Sequence, residues 1–539
     1  MKFFLHIFIT ALLAAAVLTA CTQAYNESPL TRPTYDPFLP LDGAPQNSPN
    51  FEGAGPAAVT PYPSDAPFIV PTAVPLNQLV PPLRPAGQLF LTPTPDAHHS
   101  LPAPRTNEEE YVVQPGDTLG GIAESYGIGI EAVMEANGLG NADVLDVGQV
   151  LIIPLAQPEL TPSSFKIIPD SELVYGPASV NFDVAGFIQQ QGGYLAGYAE
   201  DVNGEYMTGA QVITFVSQNY SVNPRLLLAL IEHRSGWVTN PYPAQTDFAL
   251  GIADPSRYGL YYQLTYAADE LNRGYYHWRS NAIASWVLAD GSVAPVAPSI
   301  NAGTAGVQQL FAKLDDRITW TSDVGAPEIN PSSFYNAYFL LFGQHPFDYA
   351  VEPLVPSWLH QPRMALPFER GVPWVFTGGP HGGWDSGSAW AALDFSPIVE
   401  DSGCFTTDTW VTAVTDGLIV RTGDGQVIQD IDGDGNEQTG WVVLYMHIEF
   451  RDRVETGTYV RAGDRIGHPS CEGGFSNATH LHIARKYNGE WITADGLIPF
   501  VMDNWVPSGA GAEYDGFLTQ GDAVLEALEA ISELNTIQR

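Results

Sequence analysis

Two histidines separated by one residue, in Thr479-His480-Leu481-His482-Ile483, restrict the C-terminal third of this chain more than any other feature. Residues i and i+2 of a strand share a face, so both imidazoles point into one site while Leu481 packs behind them. Three upstream pieces belong to the same pattern: Gly378-Gly379-Pro380-His381-Gly382, the strand-like run Trp390-Ala391-Ala392-Leu393-Asp394-Phe395, and Leu444-Tyr445-Met446-His447. The expected product is a mainly antiparallel β domain over residues 360–510, with four histidines and an aspartate around one site.

Two imidazoles and a carboxylate leave a fourth tetrahedral position open, which is the arrangement of catalytic zinc. Zinc polarises a carbonyl and acidifies water, chemistry suited to amide hydrolysis. The constellation resembles the lysostaphin-type and β-lytic (LasA-like) zinc endopeptidases, which cut peptide bonds in bacterial cell walls. The match covers about residues 365–505, including Val411–Val420 and Val460–Gly467. The resemblance implies Zn2+ held by His381, an aspartate and His482, with His447 and His480 as base and transition-state stabiliser. Two aspartates compete: Asp385, four residues after His381, and Asp394, thirteen after. The longer spacing, with a Gly/Ser-rich insert and an apolar strand, is that of the β-lytic branch. A carboxylate in an apolar strand also needs a strong partner, and a metal supplies one. Asp394 is therefore the expected ligand and Asp385 an exposed loop acid.

The N-terminus carries an address. Lys2 is followed by the apolar run Phe3–Val17, and Leu18-Thr19-Ala20-Cys21 resembles the lipobox of bacterial lipoproteins. That resemblance implies a signal peptide over residues 1–20, lipidation of Cys21, and a lipid-anchored position in the extracytoplasmic envelope. With Cys21 set aside, one pair remains in an oxidising compartment, and Cys404 and Cys471 are expected to form a disulfide rather than bind zinc. Residues 21–109 are rich in Pro, Ala, Thr and Asn with repeated Pro-x-x-Pro spacing, and read as a disordered, extended linker.

Residues 110–155 change character. A strand at Glu110–Val113, a turn Pro115-Gly116-Asp117-Thr118-Leu119, two short helices and a closing strand at Val150–Ile153 give the order βααβ. This small α/β unit resembles the LysM module, which implies binding of N-acetylglucosamine-containing glycans. The implied groove lies beside Gly116, Asp117 and Thr118 and beside the Asn137-Gly138-Leu139 loop. Residues 171–350 read as an all-α domain. The stretch Asn223–Trp237 resembles the lysozyme-like, transglycosylase-like fold, but Arg234 stands where that fold carries its acidic glutamate. A guanidinium has no proton to give at working pH, and Glu232, about 200° around the helix, is a poor substitute. The domain is expected to be non-catalytic.

Charge narrows the partners. Lys+Arg is 22 against Asp+Glu 60 in 539 residues, a net charge of −38, which argues against nucleic acid. Lesser features are Asp430-Ile431-Asp432-Gly433-Asp434-Gly435, closer to a polar hairpin than a calcium loop because Trp441 holds the twelfth position, and His468, read as a surface residue. Residues 511–539 are expected to form a C-terminal helical extension, with Val524, Leu525, Leu528 and Ile531 on one stripe. The composite expectation is a lipid-anchored peptidoglycan hydrolase whose zinc endopeptidase domain cuts peptide stems or cross-bridges. The alternative is a non-catalytic wall-binding protein or an activator of another hydrolase. Oligomeric state is open.

Overall fold

The computed structural model describes residues 99, 101–102, 105–155, 160–399 and 403–539. The leader, Cys21 and nearly all of the proline-rich segment therefore lie outside the described residues. The chain divides into a small unit containing residues 105–157 and a large one containing residues 158–539. Among the described residues, no helix is long and apolar enough to cross a membrane.

The small unit pairs β1 (Glu109–Val112) antiparallel with β2 (Val150–Ile153) and packs α1 (Leu119–Ser125) and α2 (Ile130–Asn137) against them. Thr118 caps α1, its Oγ1 accepting from the Gly121 amide at 3.1 Å. The Asp117 carboxylate accepts from the Tyr111 hydroxyl at 2.8 Å and the Gln114 amide at 2.7 Å. Asn137 donates to the carbonyls of Val133 and Ile152 and accepts from the Ile152 amide at 2.7 Å. The polar side chains of Asp117, Thr118 and Asn137 thus all serve the module's own turns. Asn137→Ala leaves three backbone partners of this small core without a mate, and is expected to destabilise the unit by about 1–3 kcal/mol. Denaturant titration followed by amide exchange in residues 105–155 measures it.

In the large unit, residues 170–342 are mostly helical: α3 (Asp170–Leu173), α4 (Val184–Gln191), α5 (Gly209–Tyr220), α6 (Pro224–Ser235), α7 (Leu260–Arg279), α8 (Ala302–Leu314), α9 (Arg317–Asp323) and α10 (Phe334–Phe342). Helix α6 starts at Asn223 with Pro224 in its first turn and stops at Gly236, whose φ is +69°. Leu226–Ile231 are buried on every side, so α6 runs through the middle of the core. Within this region the all-α expectation needs correction. Two hairpins interrupt it, β3–β4 (Ala199–Val202, Glu205–Thr208) and β5–β6 (Ser285–Val287, Val293–Pro295). The apolar run across 277–288 is not one helix, because Asn281 adopts φ +57° and turns the chain out of α7 into β5.

The C-terminal part is built on an antiparallel sheet in the order β13-β10-β11-β12-β15-β8-β7-β20, with β16 (Glu490–Trp491) pairing β15, while β9 (Val411–Thr412) and β14 (Arg465–Gly467) form a separate short pair. The sheet's inner strands are β7 (Pro373–His381), β8 (Ala392–Pro397), β10 (Gly417–Gly423), β11 (Gln426–Asp430), β12 (Trp441–Met446) and β15 (Leu481–Tyr487), and its edge strands are β13 (Tyr459–Val460) and β20 (Thr536–Gln538). One face of the sheet, through Ala392, Leu444, Met446 and Ala484, joins the helical core; the other, through Leu393, Val443, Tyr445 and Ile483, builds a second core. Burial on both faces explains why Trp441–Met446 reads as an unbroken apolar run rather than an alternation.

The expected C-terminal helix is absent. Residues 506–526 form a meander of β17 (Val506–Gly509), β18 (Gly516–Gln520) and β19 (Ala523–Glu526), and β20 pairs with β7. Gly521 turns at φ +58°, after which Val524 is 57% exposed while Leu525 is 8% exposed, a period of two. The helical stripe failed because Ile531 also faces water.

Candidate metal centre and active site

Strand register brings the site together. Across β8 and β15, Asp394 lies directly opposite His482, and on its other side Asp394 faces Gly378 of β7. Shifts of register between Phe376 and Gly378, and again before His381, bulge the end of β7 and carry His381 to the same place. His381 Nε2 lies 2.9 Å from His482 Nδ1, and each lies 3.3 Å from Asp394 Oδ1. His480 Nε2 stands 3.8 Å from Asp394 Oδ2, and the rings of His447 and His480 are 4.4 Å apart. Gly378 is a requirement here, since a Cβ on it would sit 2.8 Å from Asp394 Oδ2.

Each of the four imidazoles has one ring nitrogen tied to a backbone carbonyl. His381 Nδ1 bonds Gly379 O at 2.8 Å, His447 Nδ1 bonds Glu472 O at 3.0 Å, His480 Nδ1 bonds Ala478 O at 2.8 Å, and His482 Nε2 bonds Gly383 O at 3.2 Å. A carbonyl only accepts, so the tied nitrogen carries the proton and the free one offers its lone pair to the site. His447 is turned inward by a left-handed backbone, φ +64°, rare outside glycine and costly unless the surroundings hold it. Ser470 does so, donating to the His447 carbonyl from its amide at 2.7 Å and from its hydroxyl.

These atoms fit a metal. His381, Asp394 and His482 each offer a ligand atom within 4.8 Å of the others. Asp394 Oδ1 is buried without a hydrogen-bond partner, and two lone-pair nitrogens converge on it. Nitrogen and oxygen donors of this kind suit Zn2+. Burial opposes the charge on Asp394, yet His381, when protonated, outweighs it and holds the carboxyl well below its ordinary range. Burial, then the adjacent His480 and His482, push His447 down to about 3, which favours its neutral imidazole.

Asp385, the competing aspartate, is exposed at φ +56° and accepts from the Tyr220 hydroxyl of α5 at 2.9 Å. Its loop is docked on the helical region, with the Gly387 amide donating to Asp269 at 2.6 Å. Cys404 and Cys471 are disulfide-bonded, Cα–Cα 5.8 Å, and Cys471 immediately precedes the residue whose carbonyl holds His447. His468 is not a surface residue as expected from sequence: it is 1% exposed, with its ring 3.9 Å from that of Trp410. Arg234 is bound to Asp315 at 2.6 Å, and Glu232 accepts from Thr239, so neither residue is poised as an acid. One contact had no sequence signal. Tyr514, from the segment expected to be helical, stacks on the His381 ring at 4.1 Å and 23°, its carbonyl accepting from the Gly379 amide at 2.7 Å.

Residues 404–494 match the model of Peptidase family M23, residues 111–154 the LysM domain, and residues 166–352 the LasA N-terminal domain. Part of the C-terminal domain is thus similar to M23 peptidases. The chain is 26% identical over 303 residues to Protease LasA of Pseudomonas aeruginosa, a match that spans 51% of this chain and 66% of that protein. Among solved structures, it is similar to Pseudoalterin, an M23 metalloprotease from the deep sea, at 22% identity, covering 33% of this chain and 98% of that one with a TM-score of 0.27. It is also similar to the catalytic domain of lysostaphin from Staphylococcus simulans, at 27% identity, covering 22% and 87% with a TM-score of 0.17. The M23 match contains His447, His480 and His482, whereas His381 and Asp394 precede it and reach the site through β7 and β8.

Gly378→Ala should displace the Asp394 carboxylate while leaving all three ligands in the sequence. Zinc affinity is expected to fall by about 10–100-fold, as read by competition with a chromophoric chelator.

Proposed function

We propose that this chain is a zinc-dependent endopeptidase that cleaves peptide stems or cross-bridges of bacterial peptidoglycan. The observation that carries this is the set of four imidazoles, each with one nitrogen tied to a carbonyl, of which His381, His480 and His482 turn the other nitrogen to within 3.8 Å of an Asp394 oxygen. His381, Asp394 and His482 would hold Zn2+, which would supply Lewis-acid polarisation of the scissile carbonyl. His447, neutral and with Nε2 free, takes the proton of the attacking water and returns it to the leaving amine. His480 is placed to stabilise the oxygen on which charge develops, a role that requires a proton on Nε2 in addition to the one Nδ1 gives to the Ala478 carbonyl. The bond from His447 Nδ1 to the Glu472 carbonyl keeps the base oriented with no reorganisation at the moment of reaction.

The LysM domain binds the glycan strand and concentrates the peptidase at the wall. The helical region keeps the lysozyme-like reading as a fold without catalysis, with its arginine fixed in an ion pair. Attachment to the outer face of the membrane through Cys21 rests on Leu18-Thr19-Ala20-Cys21 alone, and a mass shift on Cys21, lost in Cys21→Ser, tests it.

Full-length protein incubated with purified peptidoglycan should release fragments with new amino termini. Release should stop with chelator and return with zinc, and His381→Ala should abolish it while circular dichroism stays unchanged. Release that survives chelation or the substitution overturns the reading. Wall binding with no release by the zinc-loaded protein favours the non-catalytic alternative.

His447→Ala separates chemistry from metal binding. It is expected to keep zinc and to lose about 10²–10⁴-fold in kcat, measured on the same fragments under saturating zinc.

A further inference from the structure

Far from the metal centre in sequence, the helical region carries an open cleft of about 370 Å³, a size within the range of small-ligand sites. Tyrosines dominate it. Tyr194 and Tyr198 form one wall, backed by the buried Trp237, whose ring lies 4.8 Å from Tyr194 and 5.3 Å from Tyr198. Tyr206, from the β3–β4 hairpin, is 77% exposed, and Tyr258, on the approach to α7, is 62% exposed. A single exposed ring needs no explanation, but two exposed rings facing two half-buried ones around one concavity do.

Charge selects among ligands. Glu200, Thr246 and Asp247 also line the cleft, and among its described lining residues there is no lysine, arginine or histidine. An anion would meet two carboxylates on a chain of net charge −38, so phosphates, nucleic acids and acidic lipids are excluded. A cation finds little more. The oxygens of Glu200 already accept from the amides of Leu260 and Tyr261 and from the Tyr198 hydroxyl, which binds this carboxylate to the first turn of α7. That leaves exposed Asp247, and one solvated carboxylate contributes little to a cation's affinity. The same bonds take Glu200 out of acid catalysis.

What remains is a neutral ligand with flat apolar faces and many hydroxyl or amide groups. We propose that this cleft is a second glycan-binding site, in which Tyr206 and Tyr258 lie against the ring faces of an N-acetylhexosamine chain. Thr246, Asp247 and the Gly197 backbone meet its polar edges. It does not depend on the zinc site, and it gives the chain a hold on a glycan strand separate from that of the LysM domain.

The test uses the full chain and N-acetylglucosamine tetramer. Tyrosine nitration mapped by mass spectrometry should slow several-fold at Tyr206 and Tyr258 when the tetramer is present. Tyr459, 59% exposed in the peptidase domain, should react at an unchanged rate. Calorimetry should resolve two binding events, and the double variant Tyr206→Ala/Tyr258→Ala should lose one. Both side chains are on the surface, so the variant is expected to fold, as unchanged circular dichroism will verify. Unprotected tyrosines at tetramer concentrations that saturate the chain, or two events persisting in the double variant, overturn the proposal. So does protection by a lysine-containing stem peptide but not by the tetramer.

Discussion

Everything at the metal centre depends on keeping an ionised carboxylate inside a sheet covered on both faces. Asp394 occupies a central strand, is 6% exposed, and has His482 opposite it on one side and Gly378 on the other. Isolated there, such a charge would cost several kcal/mol. The imidazoles and the cation they imply remove that cost. The two cores flanking the sheet hold the strands in register, and register is what sets the spacing of the ligands.

The four histidines reach the site by different backbone devices, yet share one electronic arrangement. His381 arrives through a bulge, His447 through a left-handed turn, and His480 and His482 by strand alternation. In every case a carbonyl holds the far nitrogen. Hydrogen bonding of this kind decides whether an imidazole serves as ligand, base or donor before substrate enters. The disulfide next to Glu472 and the Ser470 bonds to His447 brace the least favourable of these conformations.

The helical region shares a core with the sheet and covers the face on which the ligands lie. One group of its polar contacts falls on the loop between His381 and Asp394, with Tyr220 on Asp385, Asp269 on Gly387, and Arg273 on Ser386 at 2.8 Å; another falls on Gly489–Trp491. The spacing that made Asp385 look like a possible ligand therefore belongs to a docking loop. The acidic Asp430–Asp434 stretch is likewise a connection, joining β11 to β12, with Asp430 accepting from the amides of Asp432, Gly433 and Gly435.

Local chemistry made much of this protein legible. The alternation at 480–482, the Asn-Pro start of α6 and the βααβ order of the small unit all act within a few residues, and can be read without knowing where the rest of the chain goes. The same holds for the preference for Asp394, since an acid in an apolar strand needs a counter-charge wherever that strand goes. Features that depend on distant partners emerge only when the chain is folded. Residues 522–534 have a stripe that suits a helix, but β7 offers an open edge that β20 fills and the preceding chain becomes a meander. His468 looks like a surface residue until Trp410 covers it. Tyr514 reaches His381 across more than a hundred residues, and no local pattern encodes a contact that exists only once strand register is set.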